Sequence, residues 1–199
     1  ECANNVLLKQ KSEPQGLIKI SCPSVMMHFQ IRTLLNQFLK DYPKVQIELE
    51  LTSRRVDLIH DDIDLAIRTN FQANEDSSLI VRDVIKTTHC LVASPELLKG
   101  RHIQHFTELH EFPSVVLGMQ KSQYYWHLNN REHGEVIDIP LQPRIKSNDL
   151  AGVYYAVYDG FGIADLPYLA VEQDIKQGKL IHVLPEWCSN LGTVQLVYA

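Results

Sequence analysis

The chain has 199 residues, 45% hydrophobic and 22% charged, with a formal net charge of −5 and nine histidines. This is ordinary globular composition, long enough for one large domain or two small ones. No run of the ~18 apolar residues a span needs is present, no signal-peptide layout opens it although a cleaved signal leaves no trace, and the acidic balance excludes the chain, by itself, as a surface for a phosphate backbone.

Residues 1–15 are polar apart from Val6-Leu7-Leu8 and close in Glu13-Pro14-Gln15-Gly16. That helix-stopping sequence reads as the end of a linker helix arriving from an upstream region. Leu17, Ile18 and Ile20 then make a short buried strand, and residues 21–24 a turn. In the following helix Met27, Ile31, Leu34, Leu35 and Phe38 recur at three- and four-residue steps, one apolar stripe that can lie on a sheet. Pro23 suits the start of that helix, and Tyr42-Pro43 cannot continue it. Cys22, Ser24 and Val25 stand where a strand's carboxyl end meets a helix's amino end. Free N–H groups, a hydroxyl and a partial positive charge there suit a carboxylate or another small anion. The alternative is that Ser24 caps its own helix.

Residues 45–51 alternate strictly, as a strand with one exposed face does, and Thr52-Ser53 follow at its carboxyl end. Residues 56–60 predict a short helix, and residues 64–68 a buried strand ending in Arg68-Thr69. Asp62 and Asp64 share a strand face and invite a metal reading; a turn whose acids cap backbone N–H groups is the stronger expectation. Residues 71–78 are polar and loop-like. Residues 79–82 and 87–93 read as two strands, the second running into Ser94-Pro95 and a short helix through Leu98.

Residues 102–110 carry three histidines, His102, His105 and His110. On a helix His102 and His105 would face one way, but no carboxylate or cysteine stands at a matching step, and a solvated face is the better reading. Strands follow at 114–117, 124–126, 136–139 with Gly134 turning, and 144–147. Asn148-Asp149 cap a helix with Leu150, Val153, Tyr154 and Val157 on its apolar side, ended by Asp159-Gly160. Residues 161–166 make a strand, Pro167 opens a further helix, and 180–184 and 194–198 are the last strands.

Strands alternating with helices indicate an α/β protein with mostly parallel or mixed sheets. Cys2, Cys22, Cys90 and Cys188 form no CxxC pair, which speaks against a zinc site and a disulfide framework and makes a reducing cytoplasmic home the simplest. No GxSxG, HExxH or phosphate loop is present. Gly160-Phe161-Gly162 lacks the third glycine of a dinucleotide motif and does not follow a strand. No enzyme activity, catalytic residue, cofactor or metal is therefore expected.

Taken together these segments resemble the effector-binding (regulatory) domain of LysR-type bacterial transcriptional regulators. The matching residues are 16–20 (GLIKI), 35–43 (LNQFLKDYP), 45–51 (VQIELEL), 64–68 (DLAIR), 91–95 (LVASP) and Ser147-Asn148-Asp149. Further on come 160–166 (GFGIADL) with Pro167, 178–180 (GKL), Val183-Leu184 and Val197-Tyr198.

The resemblance implies two Rossmann-like subdomains with mixed sheets joined by two crossover strands, the type 2 periplasmic-binding-protein-like fold. The first would hold residues 16–85 plus 162–199, and the second 86–161. A small-molecule effector would sit in the cleft, lined by Ser21, Cys22, Pro23, Ser24, Thr52, Ser53, Arg68 and Thr69 on one side and Ser147 and Asn148 on the other. The serines, threonines and Arg68 favour a small anion such as a carboxylate, although Arg68 has the competing role of an ion pair with a core acid.

Also implied are a homodimer or tetramer, with DNA bound only through a winged helix-turn-helix that precedes the linker in such regulators and is absent from this chain, as is the short segment that usually follows the Val-Tyr strand. Cys22 beside a helix amino end would have its thiolate favoured and could answer oxidants, against a plain role as a small residue lining the cleft. A solute-binding protein for transport shares the same two-lobed architecture and is the main competing function.

Overall fold

The computed structural model describes residues 13–70, 79–120 and 124–199. The expected linker tail up to residue 12 and the loop at 71–78 lie outside the described residues. The first strand, β1 (Gly16–Cys22), leads through Pro23 into a helical run made of α1 (Ser24–Met26), a π-helical stretch (Met27–Ile31) and α2 (Arg32–Asp41). β2 (Val45–Leu51) and β3 (Leu65–Asn70) flank β1, both parallel to it, with Gly16 opposite Val45 and Ile20 opposite Leu65.

The chain continues through β4 (Ile80–Ala93), α3 (Pro95–Leu98), a 3₁₀ turn (Phe106–Glu111), β5 (Ser114–Leu117), β6 (Tyr125–Asn130), β7 (Val136–Pro140) and β8 (Pro143–Ser147). It ends with α4 (Leu150–Tyr158), β9 (Ala164–Pro167), α5 (Tyr168–Lys176), β10 (Ile181–Val183) and β11 (Trp187–Tyr198).

Two long antiparallel strands, β4 and β11, run through the whole molecule. Their outer ends pair as Tyr198 opposite Ile80 and their inner ends as Ser189 opposite His89. β3 joins the carboxyl half of β11, which completes a first lobe of mixed sheet, β2-β1-β3-β11-β4. β9 and β10 pair antiparallel with the other half of β4, and the β6–β7 hairpin adds to the start of β11. β5 lies parallel to β8 and bridges to Ile163. These make the second lobe, so the architecture is the expected α/β arrangement with mixed sheets.

Three sequence expectations change. The strands expected at 79–82 and 87–93 are one, because Asp83, Ile85 and Lys86 between them stay paired with β11 across a register shift at Val84. Residues 58–62 form turns rather than a helix; the Asp57 carboxylate accepts from the backbone N–H of Ile59 at 3.1 Å and of His60 at 3.0 Å, which takes donors a helix would use. The third concerns residues 162–186, read as part of the first lobe. Within it β9 and β10 hydrogen-bond antiparallel to residues 89–93 of β4 rather than to the parallel strands β1 to β3, and we propose that this stretch goes with the second lobe.

The apolar stripe expected on the first helix is interrupted. A π turn carries one extra residue, which rotates the downstream side chains by ~100° relative to an α-helical stripe. Val25 and Met26 are buried, whereas α2 has no buried residue and Leu34 is 71% exposed. Val25 and Met26 pack not only on their own lobe but into the core formed by Cys90, Val115, Val153, Ala164, Leu166 and Val171. The Phe29 ring stands 4.6 Å from that of Tyr154 on α4. On the other face of the second lobe Leu91, Leu128, Trp126, Ile163 and Trp187 make a separate core.

Candidate functional site

The carboxyl ends of the parallel strands of both lobes open onto one hollow of about 550 Å³, the position at which open α/β sheets hold ligands. Ser21 is next to last in β1, Thr52 to Val56 follow β2, and Arg68 and Thr69 stand on β3. These form one wall, with Pro23, Val25 and Met26 beside them. The opposite wall is built by Leu117 at the end of β5 and residues 118–120 after it, Asn148 and Leu150 after β8, and Pro167 at the end of β9 with Leu169 and Ala170 of α5. Thr87 and His89 of β4 and Val194 of β11 make the floor.

Of the ten residues expected at the cleft, Ser21, Pro23, Thr52, Ser53, Arg68, Thr69 and Asn148 line it. Cys22, Ser24 and Ser147 do not. Successive side chains of a strand point to opposite faces, so with Ser21 toward the hollow Cys22 turns away, and it is 0% exposed. Burial pushes the Cys22 thiol up, which corrects the expectation of a favoured thiolate.

Ser24 neither caps its helix nor faces the hollow. Pro23 is the N-cap, and the Ser24 hydroxyl donates to Asp149 Oδ1 at 2.9 Å, joining the starts of α1 and α4 across the two lobes. Ser147 is used locally, accepting from the Asp149 N–H at 3.0 Å and donating to its carbonyl at 2.9 Å.

Sequence reading missed Arg54, Arg55, Thr87, His89 and the apolar residues of the second wall. The two arginines come directly after Thr52-Ser53, which was the available signal. The Arg54 guanidinium donates to Asp61 Oδ2 at 2.7 Å and to Glu50 Oε1 at 3.0 Å, and that contact holds the Asp61 carboxyl below its ordinary range. Arg55 is exposed and has no acidic partner within ion-pair distance among the described residues. His89 Nδ1 lies 3.2 Å from Asp165 Oδ2, which also accepts from the Ser189 hydroxyl at 2.5 Å. Among the described residues no Asp or Glu lines the hollow, although the chain as a whole is acidic.

Of the residues that invited metal readings, Asp62, Asp64 and His105 are otherwise engaged. Asp62 pairs with the Lys19 ammonium, and Asp64 Oδ2 accepts from the Lys19 N–H at 2.8 Å. His105 caps the 3₁₀ turn, with Glu108 reaching back to its N–H at 2.8 Å. Among the described residues no three of His, Cys, Asp and Glu converge as ligands could, and no helix is long and apolar enough to cross a membrane.

Comparison with known proteins points the same way. The profile of the LysR substrate binding domain matches residues 11–199. The HTH-type transcriptional regulator PtxR of Pseudomonas aeruginosa is 26% identical over 189 residues, 94% of this chain and 59% of the relative. The HTH-type transcriptional activator TtdR of Escherichia coli K12 is 29% identical over 182 residues, 90% of this chain and 57% of the relative. Among solved structures, the cumene hydroperoxide-treated regulatory domain of AphB from Vibrio vulnificus superposes with a TM-score of 0.78 at 29% identity, covering 93% of this chain and 92% of that one. The chain thus spans well under two thirds of the length of PtxR and TtdR.

Proposed function

We propose a function from the premise that the chain belongs to the LysR substrate binding domain family: it is the effector-sensing part of a longer transcriptional regulator. In that protein a small molecule enters the hollow between the lobes, and DNA is contacted by a region outside this chain. The observation that carries the reading is the hollow itself, built at the carboxyl ends of strands from both lobes and bounded by the leading turn of the first helix. A ligand that touches both walls binds one arrangement of the lobes better than another and shifts the equilibrium by that difference. Relatives that are transcriptional regulators favour this over solute transport. Neither reading requires catalysis, and a regulator acts in the cytoplasm.

We further propose a homodimer or tetramer as the working state. α2 leaves Leu34 exposed, the edge strand β2 presents Leu49 and Leu51, and α4 presents Tyr155 and Tyr158. Such apolar surface on a monomer calls for a partner, here a second copy. Sedimentation at tens of micromolar is expected to show dimer or larger; monomer alone would refute it.

Thermal unfolding in the presence of small organic acids tests the sensing role, since a ligand at one hundred times its dissociation constant adds about 2.7 kcal/mol. A compound that stabilises this domain is expected to change the operator affinity of the full-length protein. Stabilisation with no change in DNA binding would overturn the regulatory reading.

A further inference from the structure

We infer that the ligand of the hollow is an organic monocarboxylate with a sizeable apolar body, its carboxylate held by Arg55 and its body laid against the second wall. The inference rests on the proposed cleft and narrows it.

Charge argues for the anion. Three guanidinium groups, Arg54, Arg55 and Arg68, line the hollow, and among the described residues no carboxylate does. Their roles differ. Arg54 is held by Glu50 and Asp61, so most of its charge is answered before a ligand arrives. Arg55 is the neighbouring guanidinium whose charge no described acid answers. A guanidinium with donors in a planar fork matches a carboxylate at two points.

Shape and polarity argue for the body. A hollow of about 550 Å³ falls within the roughly 300–1,000 Å³ that encloses ligands of drug-like size. A four-carbon diacid would leave much of it to water. It would also set its second carboxylate against a wall that is mostly Leu117, Met119, Leu150, Leu169 and Ala170, where among the described residues the neutral amides of Gln120 and Asn148 are the side-chain donors and no cation answers the charge. Leu117 and Met119 are 43% and 65% exposed at that wall, so an apolar body covers surface that water otherwise wets. The two walls thus ask for two different ends of one molecule.

The test is calorimetric titration of the intact chain with aryl and medium-chain monocarboxylates, their neutral amides, and succinate. The acids are expected to bind at least about tenfold tighter than either the matching amides or succinate. R55Q should erase the preference for acid over amide while leaving amide affinity in place. L117W, which fills the hollow from its apolar side, should remove binding of every probe. If succinate or the amides bind as tightly as the acids, or R55Q leaves the preference intact, the inference falls while the cleft stands. If no probe binds, or binding survives L117W, the cleft reading falls with it.

Discussion

The two walls of the hollow are made of the same kind of structural part and carry their charge and their aliphatic surface unequally. Each is a set of segments leaving the carboxyl ends of strands, yet the first wall holds the hydroxyls and guanidiniums, Ser21, Thr52, Ser53, Arg55, Arg68 and Thr69, beside Val25 and Met26, and the second is largely aliphatic, Leu117, Met119, Leu150, Leu169 and Ala170. The first wall sits on thinner cover, since α2 has no fully buried residue and only Leu35, Phe38 and Leu39 are half-buried. The second sits on α4 and α5, which share a continuous core with the leading turn of the first helix. The difference separates two jobs: one side supplies charge, and the other supplies a firm apolar bed.

Substitutions sort by which job they disturb. Filling the bed should do most: Leu117→Trp places a large ring into open space, and ligand affinity is expected to drop by at least about 100-fold, ~2.8 kcal/mol, with the unfolding midpoint nearly unmoved. A large fall in that midpoint would mean Leu117 supports the fold rather than the hollow. Next comes the support behind the bed. The Tyr154 hydroxyl donates to Asp174 at 2.7 Å, tying α4 to α5, and burial together with that contact pushes its pKa up. Tyr154→Phe should cost about 1.5 kcal/mol in denaturant unfolding and leave ligand affinity alone; a matching loss of affinity would show that the two walls are not independent.

On the charged side Arg54→Ala should weaken an anionic ligand by less than about threefold, ~0.6 kcal/mol, because that guanidinium is already paired in solvent. A loss as large as that of the Arg55 variant would erase the distinction between the neighbours.

The smallest effect expected is a slope. His182 on β10 packs near Tyr168 at the start of α5, with Nε2 buried and without a hydrogen-bond partner among the described residues. Burial, then the charge of Arg131, lowers its pKa from 6.5. A lowered folded pKa means the unfolded chain takes the proton first, so its contribution is whole above pH 6.5 and is lost as pH falls toward the folded value. His182→Gln should flatten stability between pH 7 and about 5; an unchanged slope assigns the acid sensitivity elsewhere.

Legibility in the sequence divides along the same line. The first wall was legible in part: Ser21, Thr52-Ser53 and Arg68-Thr69 stand where strand patterns stop and where the resemblance places a cleft, whereas Arg54 and Arg55, one step further along, were missed. The aliphatic side of the second wall was not. Leu117 ends a short apolar strand and Met119 follows it, and nothing in an aliphatic residue tells whether it faces a core or a hollow. Cys22 failed for the opposite reason. Its neighbours suggested a reactive position, but strand alternation turned it inward by one step, and sequence alone does not say which of two adjacent residues faces out. The π turn is likewise silent, since Met27 to Ile31 reads as ordinary amphipathic helix. The assignment of residues 162–186 needed strand pairing, which is long-range information.

The β4–β11 ribbon has a topological corollary. Thr87 stands opposite Gly192, so the polypeptide departs the first lobe and comes home again at neighbouring points, about 5 Å apart as adjacent strands are. On the proposed division the second lobe is an insertion within the first, its two ends side by side at that seam. A graft of a different second lobe at those two residues would exchange the apolar bed while keeping the arginines.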